Sequence, residues 1–459
     1  MSDSRRVAVE AILSVFHGLR KPKEALDAAP ALSGQDRAFV MELLYGVVRY
    51  KETLDWALKR FLRKPSGLSP FTINNLRCGA YQILFMRVPE WAAVNEAVGL
   101  EKSRPSLANA VLRNIARSKE NILSELKEME NACLDPSNPD SKKSQFISTL
   151  TSHPVWLVKR WIKRFGPAEA LELAKANNQI PPLALRVNAL RANRNAVIET
   201  LKGKGFEAEP TKYSPDGIVL KGFHNFRELM ADMPELKSSV LAQDEAAQLV
   251  THLLAPRPGE RVLDACAAPG GKATHIAEMI RDKGEVVAID ISEKRLVSLR
   301  ENIEAMGLKS IKALVGDAGK IKADDIGYFD KVLLDAPCTA TGTIRRNPDV
   351  KYRHRPSDLT GEFHVKQVAM LKNVSTLLKP GGTLVYSTCS TEPEEGEGVI
   401  EEVIGRATQS PLKEHPDFYI IKDPLPFIGE LLADGVFRTY PHRHGMDGFF
   451  GVRLGSHGS

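Results

Sequence analysis

The segment DACAAPGGK at residues 264–272 decides how the C-terminal half of this chain folds. It follows the apolar run RVLDA at 261–265, which is typical of a buried strand, and it leads into a predicted helix over 271–282. Gly270 and Gly271 allow the backbone to turn tightly and to approach a ligand closely. A strand, a glycine-rich turn and a helix in this order predict the first unit of an open α/β sheet that binds a ligand at its edge.

Strands and helices alternate regularly from about residue 241 onward. Predicted strands lie at 261–265, 286–290, 311–316, 331–336, 383–388 and 448–454, and predicted helices lie between them, notably at 271–282, 292–306 and 358–379. Strands this apolar, alternating with helices, imply a parallel sheet that is covered on both faces. We therefore predict a doubly wound, Rossmann-like α/β domain over 241–455.

The N-terminal part of the chain follows a different pattern. Residues 1–130 carry apolar side chains at helical spacing and no strand-like alternation, which predicts a separate all-helical domain. Residues 131–153 are rich in Ser, Asn, Pro and Lys, which is typical of a linker. Residues 154–240 mix helix and strand, with predicted strands at 183–190 and 217–220, and we expect a small α+β connector there.

Bulk composition limits the classes of protein to which this chain can belong. The 459 residues are 43% hydrophobic, enough for about two to four domains. The net charge of +6 suits a nucleic-acid partner and equally suits a soluble basic enzyme. The five cysteines form no CxxC pair, which argues against a zinc knuckle and a disulfide framework. No signal peptide or membrane span is predicted, so we expect a cytoplasmic protein, without membrane association and as a monomer.

Two acidic residues extend the predicted ligand site. Asp290 ends the second strand about 20 residues after the glycines, where an acidic side chain can bind ribose hydroxyls. Asp317 follows the third strand and could accept a hydrogen bond from an adenine amino group. The GxGxxG spacing that suits a pyrophosphate is absent, so a dinucleotide is disfavoured. S-adenosylmethionine, which has no phosphate, fits better, although a tight turn without any ligand remains the simpler alternative.

Cys338 in DAPC and Cys389 in STCS follow the fourth and fifth strands of the domain. A lone cysteine is more often a small buried apolar residue, but two at neighbouring strand ends beside a cofactor loop favour a nucleophile. Thiolate addition to C6 of cytosine makes C5 enamine-like and able to accept a methyl group from a sulfonium. Loss of the C5 proton then lets the thiol leave. Asp335 could hydrogen-bond the pyrimidine edge and stabilise the adduct.

These motifs carry a resemblance to a known family. DACAAPGGK, VAIDIS, VGDA, LLDAPCTATGTIRRNPDVK, YSTCSTEPEEGEGVI and HRHGMDGFF resemble, in order and spacing, the catalytic domain of the RNA 5-methylcytosine methyltransferases of the Fmu/Sun group. The similarity to the bacterial RsmB type extends to 33–58 and 108–115, which resemble its NusB-like RNA-binding domain. The resemblance implies a class I methyltransferase fold and covers nearly the whole chain, with 131–153 covered least.

The resemblance also implies roles for individual residues. Cys389 would attack cytosine C6, and Cys338 would be the second cysteine, which assists release of the enzyme. S-adenosylmethionine would be held by the following residues: Cys266, Ala267, Ala268, Pro269, Gly270, Gly271, Lys272, Asp290, Asp317 and Asp335. Ala273 stands where the family commonly has threonine, which should not matter if the backbone does the binding.

The segment RRNPDVKYRHR at 345–355 is a candidate RNA contact. Arg345, Arg346, Lys351 and Arg353 could bind phosphates, and the interleaved rings could stack on bases. A solvated basic loop is about equally consistent with its composition. The pair His442 and His444 suggests a metal, but no third ligand is evident at suitable spacing, so no metal site is expected.

The sequence therefore predicts an S-adenosylmethionine-dependent RNA cytosine-5 methyltransferase. The resemblance implies small-subunit (16S) rRNA as the substrate, as free RNA before subunit assembly. Two alternatives belong to other classes of protein. A non-catalytic RNA-binding or transcription-termination factor is suggested by the NusB-like segment and opposed by the two cysteines. A dinucleotide oxidoreductase is opposed by the missing GxGxxG.

Overall fold

A computed structural model describes residues 2–18, 20–30, 32–62, 67–405 and 418–457. The chain forms two compact units: Met1–Gln179 with Ile344–His354, and Ile180–Thr343 with Arg355–Ser459. Among the described residues, no helix combines the length and apolar character that crossing a bilayer requires.

The first unit is helical, as the apolar spacing predicts. Its helices are α1 (Ser2–Gly18), α2 (Pro22–Asp27), α3 (Gly34–Lys59), α4 (Pro70–Phe85), α5 (Glu90–Leu100), α6 (Pro105–Arg117), α7 (Lys119–Leu134), α8 (Asp140–Thr151), α9 (Val155–Phe165) and α10 (Pro167–Ala176). The side chains of Ser33 and Ser69 cap α3 and α4 by accepting hydrogen bonds from backbone N–H groups. One apolar core joins α1 and α3 to α7.

The helical unit extends further than the sequence indicated. The segment 131–153, interpreted as a linker, contains α8, whose Ile147 is fully buried. Helices α9 and α10, assigned to the connector, also belong to this unit. Composition did not indicate this helix, because α8 buries polar side chains, among them Lys143 and Ser144, which composition alone assigns to solvent.

The connector is a small antiparallel sheet with helices. Its elements are β1 (Leu183–Val187), α11 (Arg194–Gly203), β2 (Glu207–Pro210), β3 (Gly217–Lys221), α12 (Phe226–Asp232) and β4 (Val240–Ala242). The strand order is β2-β3-β1-β4. Sequence patterns identified β1 and β3 but missed β2, in which only Ala208 is buried, and β4, which has three residues.

The large sheet contains nine strands. They are β5 (Arg261–Asp264), β6 (Glu285–Asp290), β7 (Ile311–Val315), β8 (Phe329–Asp335), β9 (Leu378–Thr388), β10 (Phe418–Ile420), β11 (Leu432–Ala433), β12 (Val436–Arg438) and β13 (Phe450–Ser456). The order is β11-β12-β13-β9-β8-β5-β6-β7, and β10 pairs with β13. Strands β5 to β9 are parallel, and β13 is antiparallel to β9.

Eight helices of the second unit accompany this sheet. They are α13 (Glu245–Leu254), α14 (Gly271–Met279), α15 (Glu293–Met306), α16 (Ala323–Ile326), α18 (Pro356–Thr360), α19 (Glu362–Ser375), α20 (Glu397–Ile404) and α21 (Pro441–His444), whereas α17 (Val350–Arg353) belongs to the first unit. The helix predicted over 358–379 is divided at Gly361, where a Cβ would lie 2.6 Å from the carbonyl oxygen of Ser357.

Side chains of the central strands alternate between two apolar layers. Leu263 and Leu334 pack with residues of α19 and α20, whereas Val262 and Leu333 pack with residues of α13 and α14. This double coverage confirms the doubly wound sheet. The chain runs outward from β5 through β6 and β7 on one side and through β8 and β9 on the other. The order therefore reverses between β5 and β8, and a crevice is expected at their carboxyl ends.

Candidate active site

The glycine-rich segment forms a tight loop between β5 and α14. Gly270 has φ of 107°, and a Cβ there would lie 3.2 Å from the Cα of Leu299. The loop is closed by a 2.7 Å hydrogen bond from the Gly270 N–H to the carbonyl of Ala267. The Ala267 N–H donates to the carbonyl of Ile289 at 2.8 Å, which ties the loop to β6. Only glycine suits position 270 because of both its φ and its packing.

Three carboxylates follow the successive strands β5, β6 and β7. Asp264 is buried, and neither of its carboxylate oxygens has a hydrogen-bond partner among the described residues. Burial is the main cause that raises the pKa of Asp264 to about 7. Asp290 is also buried and accepts a hydrogen bond from the Ser292 N–H at 3.0 Å. Asp317 accepts one from the Gly319 N–H at 2.9 Å. These groups leave acceptor oxygens for a polar ligand.

Cys266 lies within the loop but is poorly suited to nucleophilic chemistry. Burial raises the pKa of its thiol, and the nearby carboxylates of Asp264, Asp335 and Asp290 raise it further. The thiolate is therefore disfavoured at this position. Any contact of Cys266 with a cofactor would involve its backbone or its neutral side chain.

Lys272 and Asp335 form an ion pair between α14 and the end of β8. The Lys272 Nζ donates to Asp335 Oδ2 at 2.8 Å, and the Ser387 hydroxyl donates to Asp335 Oδ1 at 2.8 Å. Burial lowers the pKa of Lys272, but the charges of Asp335, Asp264 and Cys389 outweigh burial and raise it overall. Lys272 is therefore a fixed cation, and both carboxylate oxygens of Asp335 already have a partner.

The two cysteines meet at the carboxyl edge of the sheet. Strands β8 and β9 pair in parallel with Asp335 opposite Ser387, so Cys338 and Cys389 leave the sheet side by side. Their Sγ atoms are 3.3 Å apart. A hydrogen bond with Cys389, burial, and the charges of Cys389 and Glu395 raise the pKa of Cys338 well above its ordinary value. Cys338 is thus held as the protonated thiol of the pair.

The turn after Cys338 fixes the cysteine pair from one side. A 3₁₀ helix covers Thr341–Thr343, and its Gly342 N–H donates to the carbonyl of Cys389 at 2.9 Å. The Gly342 carbonyl accepts from the Gly448 N–H at 2.8 Å. A Cβ on Gly342 would lie 1.9 Å from the carbonyl oxygen of Gly448. The DGFF segment at 447–450 therefore supports the site through its backbone.

Arg186 is a supporting residue that sequence reasoning missed. It lies on β1, is fully buried, and donates to Glu278 Oε1 at 2.8 Å and to Thr274 Oγ1 at 2.9 Å. It also contacts the Gly271 carbonyl and Gln243. An arginine within the apolar strand LALRV was the available signal, because a buried cation requires buried acceptors. Arg186 thus holds the first turn of α14 and the glycine-rich loop.

The basic segment 345–355 is largely built into the first unit, contrary to the expected RNA contacts. Lys351 is 1% exposed, and its Nζ donates to the carbonyls of Arg49 at 3.0 Å and Thr151 at 3.1 Å and to Asn178 Oδ1 at 2.6 Å. Its predicted phosphate contact is therefore wrong for this structure, since no donor reaches solvent. Arg345 is 6% exposed, which also removes it from the expected set.

The remaining residues of that segment keep some exposure. Arg346 is half-buried, and Arg353 is half-buried and pairs with Asp349. Arg353 lies at the end of α17. Arg346 and Arg353 are the expected RNA contacts that remain partly exposed.

The histidines that lie close together in the second unit are not the pair His442 and His444 that the sequence singled out. His442 and His444 lie on α21, and His444 Nδ1 accepts from the Tyr440 N–H at 2.9 Å. A separate triad joins Asp216 Oδ2 to His252 Nε2 at 2.8 Å and to His275 Nε2 at 3.1 Å. Only the Nε2 atom of each imidazole lies at hydrogen-bond distance from the carboxylate, and the buried Nδ1 of His275 has no hydrogen-bond partner among the described residues.

Family models match three parts of the chain. One described as the NusB family covers residues 2–117, and one described as the ferredoxin-like domain of RsmF/B-like methyltransferases covers 153–227. A third, described as 16S rRNA methyltransferase RsmB/F, covers 251–455. These matches confirm the NusB-like, connector and Rossmann-like methyltransferase parts of the predicted fold.

Individual relatives match over most of the chain. The probable ribosomal RNA small subunit methyltransferase B of Bacillus subtilis is 36% identical over 435 residues, covering 91% of this chain and 90% of the relative. That of Erwinia tasmaniensis is 33% identical over 99% of both chains. The crystal structure of PH0851 has a TM-score of 0.74 at 28% identity and covers 99% of this chain and 98% of its own. A methyltransferase homolog from Pyrococcus horikoshii has a TM-score of 0.55 at 29% identity, covering 66% of this chain and 95% of its own.

Proposed function

The chain belongs to the RsmB/F family of 16S rRNA methyltransferases, and on this premise we propose that it methylates C5 of a cytosine in small-subunit rRNA through a covalent adduct on Cys389. The observation that carries this proposal is the 3.3 Å pair of thiols at adjacent strand ends, at the edge of the sheet where the Lys272–Asp335 ion pair also lies. Cytosine C5 is a poor nucleophile, and a thiol at this place can activate it by adding to C6.

Cys389 is assigned the attack because its partner stays protonated. The Cys389 thiolate forms a bond to C6, and the electron pair of the C5–C6 bond moves to C5, which then takes the methyl group. A base removes the C5 proton, the double bond re-forms, and the sulfur–C6 bond breaks with its electron pair returning to Cys389. Cys338 can donate a hydrogen bond to the departing sulfur, because its raised pKa keeps it a thiol.

Lys272 and Asp335 prepare the site for this chemistry. The charges of Asp335 and Cys389 both raise the pKa of Lys272. The Lys272 ammonium group would in turn favour the thiolate form of Cys389 during the reaction. Asp335 holds Lys272 in place and remains the proposed contact to the pyrimidine edge through a free lone pair, because each carboxylate oxygen can accept more than one hydrogen bond.

S-adenosylmethionine is the cofactor that the carboxyl edge of the sheet fits best. Its sulfonium supplies the methyl group. Asp264, whose buried carboxylate oxygens have no hydrogen-bond partner in the part of the chain that the structure describes, and Asp290 and Asp317 offer acceptors for its amino and hydroxyl groups. The segment from Cys266 to Lys272 offers a close backbone approach, since Gly270 permits the tight turn.

The proposed substrate is small-subunit rRNA before assembly, with the target cytosine unstacked so that Cys389 can reach C6. Arg346 and Arg353 remain proposed phosphate contacts. Bisulfite sequencing of unmodified small-subunit rRNA, after incubation with enzyme and S-adenosylmethionine, tests the proposal. One protected cytosine is expected, and it should be absent with Cys389→Ala. Protection in tRNA but not in small-subunit rRNA would overturn the substrate assignment.

A further inference from the structure

Glu395 is a buried carboxylate beside the thiol pair that the mechanism does not use. It ends the 3₁₀ helix Pro393–Glu395, which follows β9, and it is fully buried. The Tyr386 hydroxyl donates to its backbone carbonyl at 2.8 Å, which anchors its main chain to β9. Its side-chain partners are neutral groups, and burial is the main cause that raises its pKa. Burial of a carboxylate without a cationic partner costs free energy, which its hydrogen bonds to neutral donors offset only in part.

The contacts of Glu395 converge on the residues that flank Cys338. Its Oε1 accepts from the Thr339 N–H at 2.9 Å, and its Oε2 accepts from the Thr339 hydroxyl. The Gln367 amide donates to Glu395 Oε1 at 3.2 Å and to the Pro337 carbonyl at 2.9 Å. Pro337 and Thr339 are therefore both fixed, one through Gln367 and the other directly.

We infer that Glu395 is a positioning residue for Cys338, holding its protonated thiol against Cys389 so that it can assist release of the methylated cytosine. The inference rests on the proposed function for its catalytic consequence. Glu395 touches neither substrate nor cofactor in this assignment and acts through Thr339 and Gln367. This role differs from a general packing role, because Glu395 would orient a single side chain, that of Cys338, for a single step, the release of the methylated cytosine.

The charge of Glu395 supports the same role. It is one of the causes that raise the pKa of Cys338, after the hydrogen bond with Cys389, burial and the charge of Cys389. A negative charge nearby disfavours a second thiolate. Cys338 therefore keeps its proton, and in the proposed mechanism that proton is available to the sulfur that leaves C6.

A double-mutant cycle tests the inference. Glu395→Gln, Cys338→Ala and the double variant are compared with Glu394→Gln, the same charge change at the adjacent residue. In Glu395→Gln, single-turnover methyl transfer should stay within about twofold, whereas multiple turnover should fall about tenfold to a hundredfold, since a hydrogen bond to a charged group is lost. Covalent RNA–protein adduct should accumulate, and the double variant should equal Cys338→Ala. Glu394→Gln should change neither quantity.

Several results would overturn the inference. If Glu395→Gln slows methyl transfer and multiple turnover equally, both with Cys338 present and in the Cys338→Ala variant, its effect is a general structural loss. If the covalent RNA–protein adduct accumulates in Cys338→Ala but not in Glu395→Gln, Glu395 does not act through Cys338. If Glu395→Gln does not fold, as judged by loss of S-adenosylmethionine binding, Thr339→Val removes the hydroxyl contact alone and should give the same pattern more weakly.

A measurement without RNA separates this inference from the proposed function. The pH midpoint for alkylation of Cys338 by iodoacetamide, followed by peptide mass spectrometry, should move to lower pH in Glu395→Gln. A purely structural role would change the rate without moving the midpoint and would contradict the inference. If the midpoint moves but Cys338→Ala yields no adduct, the release role in the proposed function fails while the positioning role stands.

Discussion

Cys338 and Cys389 are chemically different although they are the same residue type at adjacent strand ends. Cys338 is kept protonated by its neighbours, whereas Cys389 follows β9, whose Ser387 donates to Asp335, the ion-pair partner of Lys272. Cys266, the third thiol near the glycine-rich loop, is kept neutral by burial and by carboxylates. The surroundings of Cys266 and Cys338 disfavour their thiolates, which is why the proposed function assigns the attack to Cys389.

The 3.3 Å approach of the two sulfurs predicts selective oxidation. Diamide, which accepts two electrons and two protons, should convert Cys338 and Cys389 to a disulfide, since only a small movement brings them to bonding distance of about 2.05 Å. Cys78 and Cys133 are buried, with thiol pKa values raised to about 12 and about 11, and should stay reduced. Peptide mass spectrometry without reductant checks this. Equal oxidation of all cysteines would contradict it.

At the scale of elements, the site depends on close backbone contacts that side-chain chemistry does not reveal. The Thr341–Thr343 turn is joined to Cys389 on one side and to Gly448, just before β13, on the other. Arg186 on β1 supports α14 from the connector by side-chain hydrogen bonds instead. The cysteine pair and the glycine-rich loop are thus held in place by elements that contribute no catalytic residue.

Gly342→Ala should disrupt this arrangement. The new Cβ would lie 1.9 Å from the Gly448 carbonyl oxygen, so the turn or the approach to β13 must move, at a cost of up to about 3 kcal/mol. Methylation should fall at least about a hundredfold with S-adenosylmethionine binding retained, since a misplacement of about 1 Å can cost that much. Gly429→Ala, where no atom lies within 4 Å of the added Cβ, is the control. Full activity in Gly342→Ala would disprove the role of the turn.

Lys351→Met should destabilise the first unit rather than weaken RNA binding directly. The change leaves the acceptors on Arg49, Thr151 and Asn178 without their shared donor. We expect a loss of about 2 kcal/mol or more in the free energy of unfolding, measured by denaturant titration. Lys202→Met, whose side chain is 51% exposed, should change it by less than about 0.5 kcal/mol. Unchanged stability combined with weaker RNA binding would restore Lys351 as a phosphate contact.

At the scale of the whole molecule, stability should depend on pH through a buried histidine that the proposed mechanism does not use. Burial, and then the charge of Arg186, lowers the pKa of His275 to about 3. The unfolded chain has a histidine pKa of about 6.5, so the unfolded state binds more protons between these values. Stability is therefore lost as the pH falls from about 6.5 toward 3.

His275→Gln should remove this part of the pH response. Between pH 7 and 5, the native protein should lose about 2 kcal/mol more stability than the variant, from the linkage between its folded and unfolded pKa values. Comparing the two proteins cancels other titrating groups, including Asp264, whose raised pKa acts in the opposite direction. Denaturant titrations at both pH values provide the measurement. Parallel pH profiles for the two proteins would contradict it.

Much of the fold followed from the sequence because its signals are local. The parallel strands are continuous apolar runs, and DACAAPGGK, DAPC and STCS lie at their ends, where the topology brings them together. The sequence could not show that Lys351 is buried, because three acceptors from distant segments satisfy it. Arg186 and Glu395 were missed for the same reason, since a polar residue's burial depends on partners that only the tertiary structure supplies.

The central claim, a covalent intermediate on Cys389, is tested most directly by trapping it. Small-subunit rRNA transcribed with 5-fluorocytidine has no C5 proton to remove, so the sulfur–C6 bond should persist after methyl transfer. After incubation with S-adenosylmethionine and digestion, mass spectrometry should find one modified nucleotide attached to Cys389 and none in Cys389→Ala. Attachment to Cys338, or no covalent product while ordinary rRNA is still methylated, would contradict the account.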